Sequence, residues 1–334
     1  MESEKRSHPF LRFIIHRLLQ LVPVFFGVII FDFLLINLAP GSPIDYIMSQ
    51  YGVASPQLVQ QLTNQFGLNK PVWERLLLYI GNFLQGNLGY STYYNEPVST
   101  LILQRLPATL ILMGSAIFFS VIIGVILGVV SSAREHTMLD NTITALSVVG
   151  FSIPIFWLGD MLIITLAVGL GLFPVEGMTS GLGSGGFIYL LGVAWHLFLP
   201  ALSLGVARLA LLARLTRASM LNTLGEDFIL TAKAKGQTSR GILYGHALPN
   251  ASLPIITVVG YQIGTMFAGA ILTEIVFAWP GIGSLLYNAI TERDYPVVMG
   301  VFVVVTIAVL IANLITDIIY ARVDPRIRFG PVSQ

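Results

Sequence analysis

Residues 226–250 read Glu226-Asp227-Phe228-Ile229-Leu230-Thr231-Ala232-Lys233-Ala234-Lys235-Gly236-Gln237-Thr238-Ser239-Arg240-Gly241-Ile242-Leu243-Tyr244-Gly245-His246-Ala247-Leu248-Pro249-Asn250, a polar island between two long apolar runs. Its acids come first and its lysines last, the order that suits the dipole of one short helix. Gly236 can close that helix in a left-handed cap, because glycine has no Cβ to oppose a positive φ. Thr238 or Ser239 can then cap a second short helix, expected to stop at Pro249. A helix, a glycine corner and a helix therefore stand where a plain loop would suffice.

The flanking runs set the class. Of 334 residues, 55% are hydrophobic and only 10% charged, too few charges to cover a soluble surface. The chain reads as an all-α polytopic membrane protein. A net charge of +1 points to no anionic partner, and no nucleic-acid role is expected. There is no cysteine, and His8, His16, His136, His196 and His246 lie far apart, so no metal site is expected.

The first apolar run follows Lys5, Arg6, Arg12 and Arg17 and reaches Leu38. It is too long for a secretory leader, and neither Asn37-Leu38-Ala39 nor Pro40 makes a good cleavage site, so it reads as an uncleaved span. About 20 apolar residues cross the hydrocarbon core as a helix. Charge-free stretches of that size lie between Arg105 and Arg134, Glu176 and Arg208, Arg240 and Glu274, and Asp294 and Asp317. One more, from Asn141 to Gly171, is interrupted by Asp160, which makes six spans.

Six spans put both termini on one side, and the basic residues choose it. Fourteen fall together: Lys5, Arg6, Arg12, Arg17, Arg134, Arg208, Arg214, Arg217, Lys233, Lys235, Arg240, Arg322, Arg326 and Arg328. Only four, Lys70, Arg75, Arg105 and Arg293, fall opposite. The termini and the island are therefore expected in the cytoplasm. The expected organisation is an N-terminus and first helix over 1–38, an external helical cap over 39–100, and a five-helix core over 101–329 holding the cytoplasmic loop 222–250. In the cap, Gln57 to Phe66 suits an amphipathic helix, and Trp73, Leu76, Leu77 and Ile80 form an apolar stripe within Pro71 to Leu84. Gly124 and Gly128 suit close helix packing. Gly181-Leu182-Gly183-Ser184-Gly185-Gly186 reads as a flexible turn, since no Gly-Lys-Ser/Thr follows it.

At Thr231-Ala232, Gly236 and Leu248-Pro249 the island resembles the coupling loop of inner-membrane ABC importer permeases. It departs from the usual pattern at Leu230, where a glutamate is common, and at His246, where an isoleucine is. The stretches Phe66-Gly67-Leu68-Asn69-Lys70-Pro71, Gly86-Asn87-Leu88-Gly89, Phe277-Ala278-Trp279-Pro280-Gly281-Ile282-Gly283, Arg293-Asp294-Tyr295-Pro296-Val297-Val298 and Asp324-Pro325-Arg326-Ile327-Arg328 are similar to the dipeptide, oligopeptide and nickel branch. The resemblance runs from about residue 10 to 329. It implies a type I ABC importer permease fold with six transmembrane helices. It also implies a second homologous permease, two cytoplasmic ATPases that hold ATP and Mg, and an extracytoplasmic substrate-binding protein. Thr231, Ala232, Lys233, Lys235, Gly236, Leu248 and Pro249 would form the ATPase-coupling loop, and Trp279, Pro280 and Gly281 would meet the binding protein. Without the resemblance, Trp279 and Tyr295 read as interfacial aromatic anchors.

No catalytic constellation and no Walker A sequence is present, so the chain itself is not expected to be an enzyme. Di- and oligopeptides are the expected substrates, with nickel chelates, glutathione, opines and oligosaccharides as alternatives within the family. An ion-driven secondary transporter would want inverted repeats and a proton relay, and neither is evident. Three acids lie within spans. Asp317, near one end, reads as structural. Asp32 and Asp160 read either as hydrogen-bonded packing groups or as pathway-lining acids that favour the amino group of a peptide.

Overall fold

A chain in hydrocarbon must satisfy its own backbone polar groups, and a helix does so within one segment. The computed structural model, which describes residues 9–38, 60, 63, 69–179 and 186–323, is accordingly helical. Turns aside, the one exception among the described residues is a hairpin, β1 (Tyr90–Ser91) paired antiparallel with β2 (Glu96–Pro97). The stretch from Gln57 to Phe66, the glycines from 181 to 185 and Asp324 to Arg328 lie wholly or mostly outside the described residues.

In chain order the helices are α1 (Pro9–Leu38), α2 (Val72–Leu84), α3 (Val98–Ala133), α4 (Met138–Ser152), α5 (Ile155–Leu162, continued as a π-helix over Ile163–Gly169) and α6 (Phe187–Leu224). Then come α7 (Asp227–Ala234), a π-helix over Gly241–Ala247 that runs into α8 (Leu248–Val276), α9 (Ile282–Thr291) and α10 (Tyr295–Val323). Five helical stretches are long and apolar enough to cross a membrane: Ile14–Leu35, Val98–Ala133, Phe187–Leu224, Gly241–Val276 and Tyr295–Ile319.

Three expectations about the spans are corrected. The third is not straight: α4 and α5 meet at a bend of 103°. Asp160 does not cause the bend. Pro154 does, by lacking an N–H and forcing Ile153 into an extended conformation (φ −76°, ψ 127°). The fourth does not end near Arg208, since α6 runs on to Leu224. Finally, Pro249 does not stop the second island helix. The widened π turn ahead of it relieves the clash of its ring with the carbonyl of Gly245, and the helix continues to Val276.

α3 and α6 form the axis of the packing. A Cβ on Gly124 would lie 2.9 Å from Leu212 Cβ, and one on Gly128 2.4 Å from Thr216 Cβ, so both glycines permit the close approach that their spacing predicts. Ala108, Leu112 and Ala116 of α3 pack with Ala201 and Leu204 of α6 and Met266 and Ala270 of α8. Leu110, Phe118, Ile122 and Ile126 on the outer face of α3 are exposed, as suits a surface that lipid covers. Ion pairing of Arg17 with Asp317 (3.2 Å) joins α1 to α10, and Thr316 of α10 lies against Gly260 of α8. The start of α1 and the end of α10 therefore point toward the end that carries the island.

α2 lies along α1 instead of over the bundle. Tyr79 stacks on Phe33 with centroids 6.1 Å apart and Phe83 meets Phe25 at 5.4 Å, an antiparallel pairing. The predicted stripe divides: Leu76 and Ile80 are half-buried, while Trp73 and Leu77 are exposed.

Candidate functional site

The island is rooted in the bundle. Ile229 and Ala232 of α7 pack with Ile242, Ala247 and Ala251 against Val129 of α3 and Met220 of α6. α7 ends as its glycine predicts: Gly236 has φ +75°, its N–H reaches Lys233 O at 2.9 Å and the Gln237 N–H reaches Ala232 O at 3.3 Å. These two bonds are the paired closure of a left-handed helix cap. Thr238 is the cap of the next helix, its Oγ1 accepting from Gly241 N at 3.2 Å. His246 Nε2 donates to Gln237 Oε1 at 2.7 Å, which braces the corner and gives the unexpected histidine a local task.

Among the residues exposed on this platform are Phe228, Leu230, Thr231, Lys233, Lys235, Gly236, Tyr244 and Pro249. Two members of the predicted loop set face the other way. Ala232 is buried and Leu248 packs against the same small core, because apolar positions one helical turn apart must be covered for the short helix to hold. Both anchor the platform.

At the opposite end a buried carboxylate organises three elements. Glu274, fully buried near the end of α8, accepts from Thr109 Oγ1 of α3 at 2.6 Å, from Gly283 N at 2.7 Å and from Ser284 N at 3.1 Å. The last two belong to the first turn of α9, whose N-terminus carries orphan N–H groups and a partial positive charge. Thr109 Oγ1 also accepts from Ile282 N at 2.8 Å. Gly281 leaves room for the acid, since a Cβ there would sit 2.2 Å from its Cδ. Trp279 is buried beside this latch and donates from Nε1 to Ala108 O at 2.8 Å.

This corrects the reading of Trp279 as an interfacial anchor or a docking contact. A buried indole N–H needs an acceptor, and the α3 carbonyl supplies it inside the protein. Gly281 is buried as well, so of the predicted docking set only Pro280, half-buried, reaches the surface, beside exposed Ala278.

A second buried carboxylate sits near the island. Asp140 accepts from Arg217 Nε at 2.6 Å and NH2 at 2.7 Å, from Ser131 Oγ and from His136 N at 3.0 Å. This clamp ties the turn between α3 and α4 to α6 through a bidentate guanidinium pair.

The remaining acids separate. Asp32 is 8% exposed and lies in the seam of α1 and α2. Burial holds the Tyr79 phenol well above its ordinary range, and the Asp32 charge adds to that. Enclosed in this way, Asp32 offers no surface to a passing solute, which corrects its reading as a pathway-lining residue. Asp160 is exposed on α5, one residue beyond Gly159, which packs on Phe277.

Comparison with known proteins agrees with this architecture. Residues 120–329 match the family "Binding-protein-dependent transport system inner membrane component", and residues 10–113 match the N-terminal model of the same systems. The chain belongs to that family. The permease is 41% identical to a di/tripeptide transport system permease protein of Pseudomonas aeruginosa over 333 residues, covering 95% of this chain and 99% of that one. A dipeptide transport system permease protein of Escherichia coli is 39% identical over 336 residues, covering 95% and 99%. An oligopeptide transport system permease protein of Bacillus subtilis is 39% identical over 322 residues, with the same coverage. Among solved structures, the inward-facing MetNI methionine ABC transporter aligns with a TM-score of 0.52 at 20% identity, covering 68% of this chain and 97% of that one. That likeness carries the type I importer fold.

The permease is thus the inner-membrane component of an ABC importer, a system with ATPase and substrate-binding partners. Sequence reasoning singled out the island and its glycine corner but missed the contacts of Glu274, Asp140 and Arg217. Glu274 served only to mark where a charge-free stretch ended, and Thr109 is an unremarkable residue within another. Nothing in a single sequence says that those two touch.

Proposed function

We propose that this permease is one of two membrane subunits of a peptide importer, with the island in the cytoplasm. The observation that carries the reading is the set of relatives at 39% to 41% identity over 95% of the chain, whose names specify di-, tri- and oligopeptide transport. Thr231, Lys233, Lys235 and Gly236 present the exposed rim of the platform to an ATPase. Ala232 and Leu248 beneath, with Pro249 at the entry to α8, pass its motion into the bundle. ATP and Mg are held by two ATPase subunits, and a second, homologous permease completes the pathway. A substrate-binding protein meets the opposite end near Ala278 and Pro280. Asp160 is the acid available to a peptide ammonium.

The test is co-purification of the tagged permease from native membranes, followed by uptake assays on the reconstituted complex. Recovery of a second permease, ATPases and a binding protein, with ATP-dependent uptake of alanyl-alanine, is the expected result. A complex that moves nickel chelates or oligosaccharides and no peptide overturns the substrate class. Solute movement by this chain alone under an ion gradient overturns the importer reading.

A further inference from the structure

Arg208 stands within a span. On α3, Thr109 of the latch and Ser131 of the clamp are 22 residues apart, about 33 Å of helix, close to the thickness of a hydrocarbon core. Ser120 is midway between them and its Oγ donates to Gly205 O of α6 at 2.9 Å, which marks the midplane on α6. Arg208 is one turn away. Helical side chains lean toward the N-terminus, which on α6 carries the guanidinium back toward Gly205.

At that depth an arginine is costly unless it is paired or faces water. Among the described residues no acid forms an ion pair with Arg208. Its NH2 makes one long bond to Thr265 O, at 3.5 Å, and its buried Nε has no partner. The face beside it is unlike the lipid-covered faces. Tyr261, Thr265 and Ala268 form an exposed stripe on α8, hydroxyl-bearing and small where α3 shows Phe118, Ile122 and Ile126. A stripe of that kind with a cation at its edge suits a wet passage.

Arg208 and Ile155 approach the same glycine: a Cβ on Gly269 would lie 3.6 Å from Arg208 NH2 and 3.4 Å from Ile155 Cδ1. Arg208 thus lies beside the start of α5, the helix that carries Asp160. We propose that Arg208 is a pathway site for the α-carboxylate of a passing peptide, which rests on the peptide reading above. The guanidinium fork matches a carboxylate in two parallel hydrogen bonds and stays charged at any working pH.

The test uses the full importer in proteoliposomes, wild type, Arg208→Gln and Arg208→Lys, with alanyl-alanine and alanyl-alaninamide as probes. The binding protein is the same throughout, so its own selection cancels in each variant-to-wild-type ratio. The expected result for R208Q is a loss of about tenfold or more in alanyl-alanine uptake, the size of one charged hydrogen-bonded contact. Amide uptake stays within about twofold, ATP hydrolysis is unchanged, and R208K recovers part of the acid uptake. Equal loss of both probes, or loss of the second permease on purification, makes Arg208 a structural residue and overturns the proposal. Acid uptake by R208Q at the wild-type rate overturns it while leaving the peptide reading intact. Absence of peptide uptake by the wild type overturns both.

Discussion

The latch and the clamp each bury one carboxylate where helices meet, about 33 Å apart along α3. The clamp balances Asp140 with a cation, Arg217, in bidentate geometry. The latch satisfies Glu274 with one hydroxyl and two backbone N–H groups at the start of α9, with no ion pair to it among the described residues. The first arrangement centres on one cation, with the Ser131 hydroxyl and the His136 N–H as further donors. The second spreads its donors over two elements and relies on a helix terminus, so each donor can be lost separately. Near the island the protein is fastened around an ion pair, and at the far end around neutral donors.

Arg217→Ala should show the largest effect, because it leaves a buried charge without its partner. The expected loss is about 3–5 kcal/mol, measured by thermal unfolding of the purified permease in detergent, and Asp140→Ala in the same chain should return much of it. If the single and double variants are equally unstable, the clamp is not a coupled pair. Glu274→Ala should come next, at about 2–3 kcal/mol, since it leaves buried donors at Gly283 and Ser284 unmet. Glu274→Gln keeps an acceptor and should lose less. Equal losses would mean that the charge, not the hydrogen bonding, holds α9. Trp279→Phe removes the bond to Ala108 O and part of the buried ring, and should lose about 1–2 kcal/mol.

The smallest effect concerns Asp294, just ahead of α10, where burial pushes the carboxyl above its ordinary value while the Ser91 hydroxyl partly opposes the shift. The folded protein then holds this proton more tightly than the unfolded chain. The stability it contributes is present below pH 3.8 and is lost as pH rises through the raised native value. Stability measured by unfolding over a pH series should therefore decline less steeply above pH 3.8 in Asp294→Asn than in the wild type. Parallel curves would mean that the site titrates alike in both states.

The platform was legible in the sequence because its cues are local. Acids before lysines, Gly236 and Thr238 each act within one turn of themselves. The spans were legible from charge-free length, but their shape was not. Pro154 and Pro249 look alike in a string, and only the neighbouring conformation makes one a break and the other a first-turn residue. Trp279 and Glu274 were misread or missed for a further reason. A tryptophan or an acid near a span end is as often an anchor as a buried contact, and the partners here are 171 and 165 residues away in sequence.

The unbroken passage from the π turn into α8 also has a mechanical side. From Gly241 to Val276 the helix holds 36 residues, a rod of about 54 Å with its base on the platform and its tip at the Glu274 latch. Turning such a rod by only about 5° at the base swings the tip by about 5 Å, roughly one helical turn. The neighbouring pair α3 and α6 meets at close quarters at Gly124 and Gly128. A small rotation near the island would thus arrive, amplified, at the roof of the bundle.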